Sequence, residues 1–439
     1  MNNIRLRSPL YAQIELTFAC NLACAHCYNE PRFSNSDGIV KLRTVKKERT
    51  SAERFVEIAE ELARHDVFSI TLTGGEPFTV RDRLYAALEA LKRNGLHVGI
   101  NSNLTLVNED DARRLSEYGD VGIMTSIASH DAETHDKIMG KESSHERTLR
   151  NIRLIQEHDV LVSANMVVSK HNTHQVYDTG IFCHSLGMNH FQTGQAVPSS
   201  SGGQMHLDHA LTLDQVLDYL EQMHKVRKET GMHVRLTNPL PYCSVWESHP
   251  HLRYLVESST CTAGRSIIQV SPNGEVKPCP MIANSYGNIL DEGLDVVWNR
   301  MTEWSEDKYV PETCKPCDLV KICRGACRAE AERIVGALES KHPYSVKPVK
   351  LEESEELSYD LKPGTRIRTE QGLKARRERD NVYVLFASNR YLVATEPVAR
   401  FISAVKTKGG ITVDQELARD REAINVISKG LDSGILLAA

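Results

Sequence analysis

The chain has 439 residues, of which 41% are hydrophobic and 25% are charged, which is typical of a globular protein with two or three domains. No apolar run approaches the roughly 20 residues that span a bilayer. A net charge of −5 with both signs interspersed argues against nucleic acid as the main partner. Eleven cysteines and no apolar export signal predict a cytoplasmic protein whose thiolates hold metal.

Strand-like and helix-like segments alternate over the first half of the chain. Short apolar segments predict strands at Ala12–Thr17, Val67–Thr73, His97–Ser102, Val121–Ser126, Val160–Val168 and Asn189–Gln192. Amphipathic spacing predicts helices between them, at Ser51–Arg64, Arg81–Asn94, Asp110–Tyr118, Ser144–His158 and Thr173–Leu186. Six such units predict an α/β fold, an open partial (β/α)6 barrel with its chemistry at the carboxyl ends of the strands.

Three cysteines, Cys20, Cys24 and Cys27, follow the first predicted strand. Their spacings of three and two intervening residues suit a short loop around one four-iron cluster. Closed four-iron clusters use four cysteines, so a set of three leaves one iron open. A zinc site is the alternative, with His26 as its fourth ligand.

This loop resembles the Cys-x3-Cys-x2-Cys motif of the radical S-adenosylmethionine (SAM) superfamily, which follows the first strand of a partial barrel. The resemblance implies that the three cysteines hold a 4Fe–4S cluster whose open iron chelates SAM. It also implies reductive cleavage of SAM to a 5′-deoxyadenosyl radical, which abstracts hydrogen from a substrate. His26 occupies the position whose side chain commonly stacks near the adenine.

The run Gly74-Gly75-Glu76-Pro77 closes the second predicted strand. Two glycines let backbone approach a ligand closely, and Glu76 offers a carboxylate, although the same residues also suit a tight turn. By resemblance to the superfamily, this motif binds the amino group of the methionine part of SAM.

Polar residues also end the next two predicted strands. Asn101 and Asn103 are candidates for hydrogen bonds to a ribose, as the resemblance also implies. Ser126 matches the serine of the superfamily's Ser-Leu-Asp-Gly segment, which reads Ser-Ile-Ala-Ser here. A catalytic role for that segment's aspartate therefore has no counterpart, and Asn and Ser also commonly cap helices.

A second set of six cysteines lies further along the chain. Cys261 and Cys279 flank Gly274 with gaps of twelve and four residues, and a group spaced by two, five and three residues follows: Cys314, Cys317, Cys323 and Cys327. A zinc ribbon is the alternative for such pairs. The pattern resembles the SPASM extension of radical SAM enzymes, which houses auxiliary iron–sulfur clusters.

The resemblance implies two ligand sets: an inner set of Cys261, Cys279 and Cys327, and an outer set of Cys314, Cys317 and Cys323. The full pattern has a seventh, downstream cysteine, and this chain has none after Cys327. The outer cluster then needs a non-cysteine or exchangeable ligand, for which His342 is suggested by spacing alone. One auxiliary 4Fe–4S cluster is the alternative; we expect two.

Cys183 and Cys243 belong to no motif. Most free cysteines are small buried hydrophobic residues, and this is the expectation for both. The alternatives are that Cys243 is an extra cluster ligand, or that either thiol donates a hydrogen atom to a substrate radical.

The segment Leu351–Leu357 contains four glutamates and predicts a solvated linker to a small separate unit. Strands are predicted there at Arg366–Thr369, Leu373–Ala375, Val382–Phe386 and Tyr391–Ala394, with a turn at Asn389-Arg390. Helices are predicted at Val398–Val405, Val413–Leu417 and Arg421–Lys429, the last ending at Gly430.

This order of strands and then helices resembles the RiPP recognition element, a small α+β domain with a winged-helix-like fold. Such domains bind the leader of a ribosomally made precursor peptide by adding it to a sheet edge. The basic run Lys374–Arg379 could attract an acidic leader, although alternating charges also suit a solvated strand. A winged-helix-like regulator is the main rival interpretation.

Together these patterns predict a radical SAM core over residues 1–240, a SPASM domain over 241–345, a linker over 346–359 and a recognition domain over 360–439. The predicted function is oxidative modification of a precursor peptide by a thioether or carbon–carbon crosslink, with a flavodoxin or ferredoxin as electron donor. Alternatives are an enzyme acting on a small molecule, a peptide epimerase or splicease, a protein maturase, or a non-enzymatic zinc protein.

Overall fold

The computed structural model describes residues 5–28, 32–34, 40–42, 50–198, 210–351, 362–378, 382–387 and 390–438. The chain divides into two compact units, Met1–Lys350 and Leu351–Ala439. Nearly all of the predicted acidic linker lies outside the described residues, as do Arg379 and Asn389. Among the described residues, no helix is long and apolar enough to cross a membrane.

The first unit is built on a nine-stranded sheet. Its strands in chain order are β1 (Tyr11–Glu15), β4 (Ser69–Thr73), β5 (His97–Ser102), β6 (Val121–Ser126), β7 (Leu161–Val168), β8 (His190–Gln195), β9 (His233–Leu236), β10 (Ile267–Val270) and β11 (Val276–Lys277). A separate hairpin pairs β2 (Arg32–Ser34) with β3 (Val40–Leu42). The order across the sheet is β11-β10-β1-β4-β5-β6-β7-β8-β9.

The six predicted strands form the continuous parallel run from β1 to β8, which confirms the partial-barrel fold. Their carboxyl ends therefore meet at one edge of the sheet. Strands β9 and β10, which were not predicted, extend the sheet in parallel at its two sides. Only β11 runs antiparallel to its neighbour in this sheet.

Helices cross between the strands of the first unit: α1 (Ala52–Arg64), α2 (Arg81–Arg93), α3 (Glu109–Glu117), α4 (Ala132–Met139), α5 (Ser144–Glu157), α6 (Val176–Ser185) and α7 (Leu213–Thr230). Helix α1 forms because Phe55, Ile58 and Leu62 recur at helical spacing, and all three are buried. Ser51 lies at its N-cap as predicted, but its side chain makes no capping hydrogen bond. Helices α4 and α7 were not predicted.

The cysteine-rich part of the first unit has short helices joined by turns: α8 (Arg253–Glu257), α9 (Ile289–Glu292), α10 (Leu294–Asn299), α11 (Thr302–Ser305), α12 (Val320–Cys323) and α13 (Arg328–Val335). Trp298 anchors this region to the N-terminal segment, since its indole N–H donates to the carbonyl of Leu6 at 2.9 Å.

The second unit contains two three-stranded antiparallel sheets and two main helices. Its elements are β12 (Arg366–Thr369), β13 (Lys374–Arg377), β14 (Val382–Ala387), β15 (Arg390–Thr395), α14 (Glu396–Thr407), β16 (Ile411–Thr412), α15 (Arg421–Asp432) and β17 (Leu436–Ala438). The sheet orders are β16-β12-β17 and β13-β14-β15. Leu385, Ile402 and Ile427 lie in its core and are fully buried.

Two predictions for the second unit are wrong. The segment Val413–Leu417 is not a helix, because Val413 continues the pairing begun by β16: its amide donates to the Thr365 carbonyl at 2.8 Å, and its carbonyl accepts from the Gly364 amide at 2.7 Å. Helix α15 does not end at Gly430 but continues to Asp432. A glycine is needed there because the side chain of Leu436 packs into the space of its missing Cβ.

Candidate active site

A cavity of about 440 Å³ opens at the carboxyl ends of the parallel strands, a size typical of cofactor and substrate sites. It brings together most of the predicted site residues, which line it: Cys20, Cys24, His26, Cys27, Gly74, Gly75, Glu76, Asn101, Asn103, Ser126, Cys261, Cys279 and Cys327. Pro77 and the outer cysteines Cys314, Cys317 and Cys323 are not among its lining residues. The N-terminal and inner cysteine sets thus share one cavity.

The cysteine loop is held against the end of β4 by backbone hydrogen bonds. The amide of Gly75 donates to the carbonyl of Thr17 at 2.6 Å, and the amide of Glu76 donates to the carbonyl of Ala19 at 2.8 Å. A Cβ on Gly75 would overlap the carbonyl group of Ala19. The missing side chain of Gly75 therefore makes room for the cysteine loop, whereas the sequence predicted that it makes room for a ligand.

Helix α4 supports the other side of the same loop. The amides of Ala23 and Ala25 donate to the carbonyls of Met139 and Ile138, at 3.2 and 2.9 Å. The Cys24 thiol lies 3.8 Å from the sulfur of Met139. Gly140 ends the helix with φ of +67°, and a Cβ there would overlap the carbonyl oxygen of Ala23. The loop is therefore fixed from two sides before any cofactor is considered.

Glu76 joins the end of β4 to the end of β5. Its Oε1 accepts from the Ser102 hydroxyl at 2.8 Å and the Phe78 amide at 3.1 Å, and its Oε2 accepts from the Asn103 amide at 2.8 Å. The side chain is buried, and burial raises the pKa of Glu76 to about 7, against the lowering effect of these donors. A ligand ammonium group at this carboxylate would favour its charged form.

Asn103 connects this network to the cysteine loop. Its side-chain amide donates to Asn21 Oδ1 at 3.0 Å and lies 3.8 Å from the sulfur of Cys20. Its Oδ1 accepts from the amide of Thr105 at 2.9 Å. Amide donors close to a ligating sulfur raise the reduction potential of an iron–sulfur cluster, so Asn103 can orient the loop and influence its electronics.

Two buried polar groups in the cavity were missed in the sequence. Thr125 Oγ1 and Asn165 Oδ1 line it and have no hydrogen-bond partner among the described residues. Asn165 stands opposite Ser126 in the register of β6 and β7. Buried polar atoms are normally satisfied, so this wall of the cavity fits a polar ligand such as a nucleoside. The feature of the sequence that could have identified them is a polar residue inside an otherwise apolar strand.

The inner cysteines lie close to one another, and Cys327 is buried while Cys261 and Cys279 are half-buried. Cys327 interacts electrostatically with both Cys261 and Cys279. Burial raises the pKa of Cys279 to about 12 and raises that of Cys327 as well. Thiols in such surroundings give up their protons when a metal centre replaces them, so the donor chemistry of this set fits an iron–sulfur cluster.

His342 does not lie free to bind a cluster. Its Nε2 is 3.1 Å from Glu330 Oε2, and its Nδ1 accepts from the Tyr344 amide at 3.3 Å. Both ring nitrogens are thus engaged, and the suggestion from spacing that His342 ligates the outer cluster is wrong in this arrangement. Glu330 also accepts a hydrogen bond from the side chain of Gln195 at 2.6 Å. Gln195 lines the cavity.

Arg328 is a buried cation between the two auxiliary cysteine sets. It interacts electrostatically with Cys261 and Cys327 and also with Cys314 and Cys323. Burial lowers the pKa of Arg328, while the neighbouring cysteines raise it. Among the described residues, the partners of its guanidinium are all backbone carbonyls, those of Tyr309, Gly325, Ala326, Leu338 and Ser340.

No three His, Cys, Asp or Glu side chains among the described residues are grouped closely enough to hold a single metal ion. A four-iron cube binds each cysteine through a different iron, so its ligand sulfurs stand farther apart than those around one ion. A parallel partial barrel with a three-cysteine loop at its strand ends and a cysteine-rich extension is the architecture of a barrel enzyme that depends on iron–sulfur clusters.

Residues 14–179 match the radical SAM superfamily, and residues 261–318 match the SPASM iron–sulfur cluster-binding domain. Residues 14–179 are therefore a radical SAM domain, and the protein is an iron–sulfur enzyme. Its cofactors are SAM, the 4Fe–4S cluster that binds SAM, and auxiliary clusters of the SPASM domain.

Relatives with curated names fall into more than one functional group. The chain is 24% identical to an AdoMet-dependent heme synthase of Nitratidesulfovibrio vulgaris over 76% of this chain and 91% of that protein. It is 28% identical to the subtilosin biosynthesis protein AlbA of Bacillus subtilis over 66% of this chain and 60% of that protein.

The fold is similar to that of Streptococcus suis SuiB, whose crystal structure was solved bound to the precursor peptide SuiA. The TM-score is 0.58 at 19% identity, over 79% of this chain and 76% of SuiB. This likeness supports the assignment of the fold.

Substituting Gly75 should destabilise the first unit through the cysteine loop. In Gly75→Ala the new methyl group meets the Ala19 carbonyl, and overpacking of this kind costs about 1–3 kcal/mol. Gly122→Ala is the matched control, since nothing lies within 4 Å of its Cβ position. Urea unfolding of the metal-free proteins measures the difference, and equal midpoints for the two variants would contradict this account of Gly75.

Stability should depend on pH through Glu76. Because its folded-state pKa is raised from 4.5 to about 7, its contribution to stability is present below pH 4.5 and is lost as the pH rises through about 7. Glu76→Gln does not titrate. We expect the metal-free wild type to lose stability relative to this variant between about pH 5 and pH 8 in urea unfolding; a difference that is constant with pH would disprove the raised pKa.

Proposed function

We propose that the protein is a radical SAM peptide maturase that oxidatively crosslinks a ribosomally made precursor peptide. The observation that carries the proposal is the single cavity lined by both Cys20, Cys24 and Cys27 and the inner auxiliary cysteines. A substrate in that cavity is within reach of two redox centres. Oxidative closure of a thioether or carbon–carbon bond needs both hydrogen abstraction and a second electron acceptor.

In this proposal Cys20, Cys24 and Cys27 hold the cluster that binds SAM. Bound there, the cluster supplies an electron that cleaves SAM to a 5′-deoxyadenosyl radical, with a flavodoxin or ferredoxin as the electron source. Glu76 accepts hydrogen bonds from the SAM ammonium group within the turn Gly74–Pro77. The remaining contacts to SAM come from His26, Asn101, Asn103 and Ser126.

The chain's own contribution is to orient SAM and to exclude water. Ser102 and Asn103 fix the Glu76 carboxylate through two hydrogen bonds of 2.8 Å, so the SAM amino group meets a preorganised acceptor. The unpartnered oxygens of Thr125 and Asn165 face the same cavity and suit the hydroxyl groups of the ribose. Cofactor chemistry of this kind relies on the protein for positioning.

The auxiliary clusters occupy the two SPASM cysteine sets in this proposal. The inner set, Cys261, Cys279 and Cys327, faces the cavity and would hold a cluster able to accept an electron or to bind a substrate thiolate. The outer set, Cys314, Cys317 and Cys323, lies outside the cavity lining and would hold a cluster able to carry the electron onward. All eleven cysteines are thiols and not disulfides, which supports a reducing, cytoplasmic setting.

The second unit recognises the leader of the precursor peptide in this proposal. Its antiparallel sheet has β13 at one edge, next to β14, and an edge strand is the usual acceptor of an added peptide strand. The predicted basic run on β13 offers less positive charge to a ligand than its sequence indicates. Arg376 is buried and pairs with Glu378 at 2.6 Å, so it is not available to an acidic leader.

A small-molecule substrate is the second candidate. It is favoured by the heme synthase of N. vulgaris, of which the match covers 91%. The peptide substrate is favoured by the bacteriocin biosynthesis protein AlbA and by the SuiB complex with its precursor peptide.

Loss of one N-terminal cysteine should abolish SAM cleavage. We expect Cys20→Ala to form no 5′-deoxyadenosine above background when reduced with dithionite, because two thiolates do not hold the SAM-binding cube. Chromatography of the reaction measures the product. Cys183→Ala is the control, because Cys183 is fully buried in α6 and its loss should leave the yield near that of the wild type. Normal turnover in Cys20→Ala would refute the assignment.

Removing the second unit should separate the two candidate substrates. A chain ending at Lys350 retains the whole first unit and should still cleave SAM. Fluorescence anisotropy with a labelled precursor peptide as the probe measures leader binding. For a peptide maturase we expect at least about a tenfold weaker affinity, equivalent to about 1.4 kcal/mol; unchanged affinity would count against recognition by the second unit.

A further inference from the structure

The outer cysteine set has three members in its motif, and the structure brings a fourth cysteine to it from upstream. Cys243 lies in a short 3-10 turn, Tyr242–Ser244, some seventy residues before Cys314. The amide of Tyr242 donates to the sulfur of Cys323 at 3.5 Å. The turn that carries Cys243 therefore packs directly on one of the outer cysteines.

A single segment, residues 345–349, contacts both Cys243 and Cys317. The backbone amide of Val346 interacts with the Cys243 thiol and favours its charged form. Three residues further on, the amide of Val349 donates to the sulfur of Cys317 at 3.3 Å. Amide donors to sulfur are typical of the surroundings of iron–sulfur clusters, and here one segment supplies them to two cysteines.

The four thiols are also neighbours of one another. Cys243 interacts electrostatically with Cys314 and Cys317, and Cys323 interacts with Cys243 and Cys314. Cys314 and Cys317 are joined by a backbone hydrogen bond of 3.0 Å from the amide of Cys317 to the carbonyl of Cys314. Cys243 also lines a separate cavity of about 300 Å³ with Val346 and Val349, which shares no lining residue with the cavity of the other two sets.

The other candidates for a fourth ligand are engaged elsewhere. His342 binds Glu330 and the Tyr344 amide through its two ring nitrogens. Cys183 is fully buried in α6. Its pKa is raised by burial and not by a cysteine of the outer set. Cys243 is thus the remaining thiol of the chain that is close to Cys314, Cys317 and Cys323.

We propose that Cys243 is the fourth ligand of the outer auxiliary cluster, together with Cys314, Cys317 and Cys323. The inference rests on the proposed function, since it needs a cluster at that set. Each thiol releases a proton to solvent on binding iron. Four cysteine ligands close a 4Fe–4S cluster, so the outer cluster has no iron open to substrate and serves as an electron carrier, while the inner set faces the cavity with three cysteines.

The test is iron content with Mössbauer and electron paramagnetic resonance spectra of the full-length protein after anaerobic reconstitution. We expect about twelve irons per chain in the wild type, and the same change in Cys243→Ala as in Cys314→Ala, because each variant leaves three thiolates: an outer-cluster signal that is shifted, or missing with an iron count of about eight. Cys183→Ala is the matched control and should keep the wild-type count and spectrum.

Cys243→Ser guards against a variant that fails to fold, because a serine oxygen can still bind iron. It should keep an iron count near that of the wild type with a shifted outer-cluster signal. SAM cleavage at the N-terminal cluster reports on folding of every variant. If Cys243→Ala and Cys243→Ser both have the wild-type count and spectrum while Cys314→Ala does not, the ligand assignment is overturned and the proposed function stands.

Failure of the proposed function has a different signature. If the wild type holds about eight irons and Cys314→Ala holds the same number, no outer cluster exists, and both the outer cluster and the role of Cys243 are overturned. If the wild type holds no iron and does not consume SAM, the proposed function itself fails. The wild-type value therefore distinguishes the two failures before any variant is compared.

Discussion

The close approach of two backbone segments at Gly75 is the contact on which the cavity depends. The segment after β4 and the segment after β1 are joined by hydrogen bonds at Gly75 and Glu76, and the space for a side chain at Gly75 is taken by the Ala19 carbonyl group. This contact sets the height of the cysteine loop above the sheet. Glu76 then extends the same link to the end of β5, so three strand ends act as one rigid wall.

The fold of the first unit was largely predictable because buried parallel strands leave a strong apolar signal. The bounds of β5 and β6 agree with the prediction to the residue. Helix α4 was missed because it is only eight residues long and supports the cysteine loop through its backbone carbonyls, which leave no mark on the side-chain pattern. Strand β9 was missed because it is only four residues long with two of them buried, and β10 was missed because it lies in the cysteine-rich region beyond the alternating one.

The candidate site was predictable where chemistry requires a fixed residue type at a fixed spacing, as in the cysteine motifs and the run Gly74–Pro77. It was not predictable where contacts are made between distant parts of the chain. Nothing in the spacing shows that His342 pairs with Glu330 or that the turn of Cys243 packs on Cys323. The oxygens of Thr125 and Asn165 are significant only because both are buried without a partner among the described residues.

Arg328 has a consequence for the order in which the protein matures. While the surrounding cysteines are neutral thiols, its guanidinium is a buried charge whose hydrogen-bond partners in the described parts of the chain are backbone carbonyls, which is an unfavourable situation. If both auxiliary cysteine sets bind clusters as proposed, the thiols on both sides become anions, and the same guanidinium becomes their shared counterion. The cysteine-rich region should thus be less stable in the newly synthesised chain and should become cooperatively more stable once its clusters are assembled.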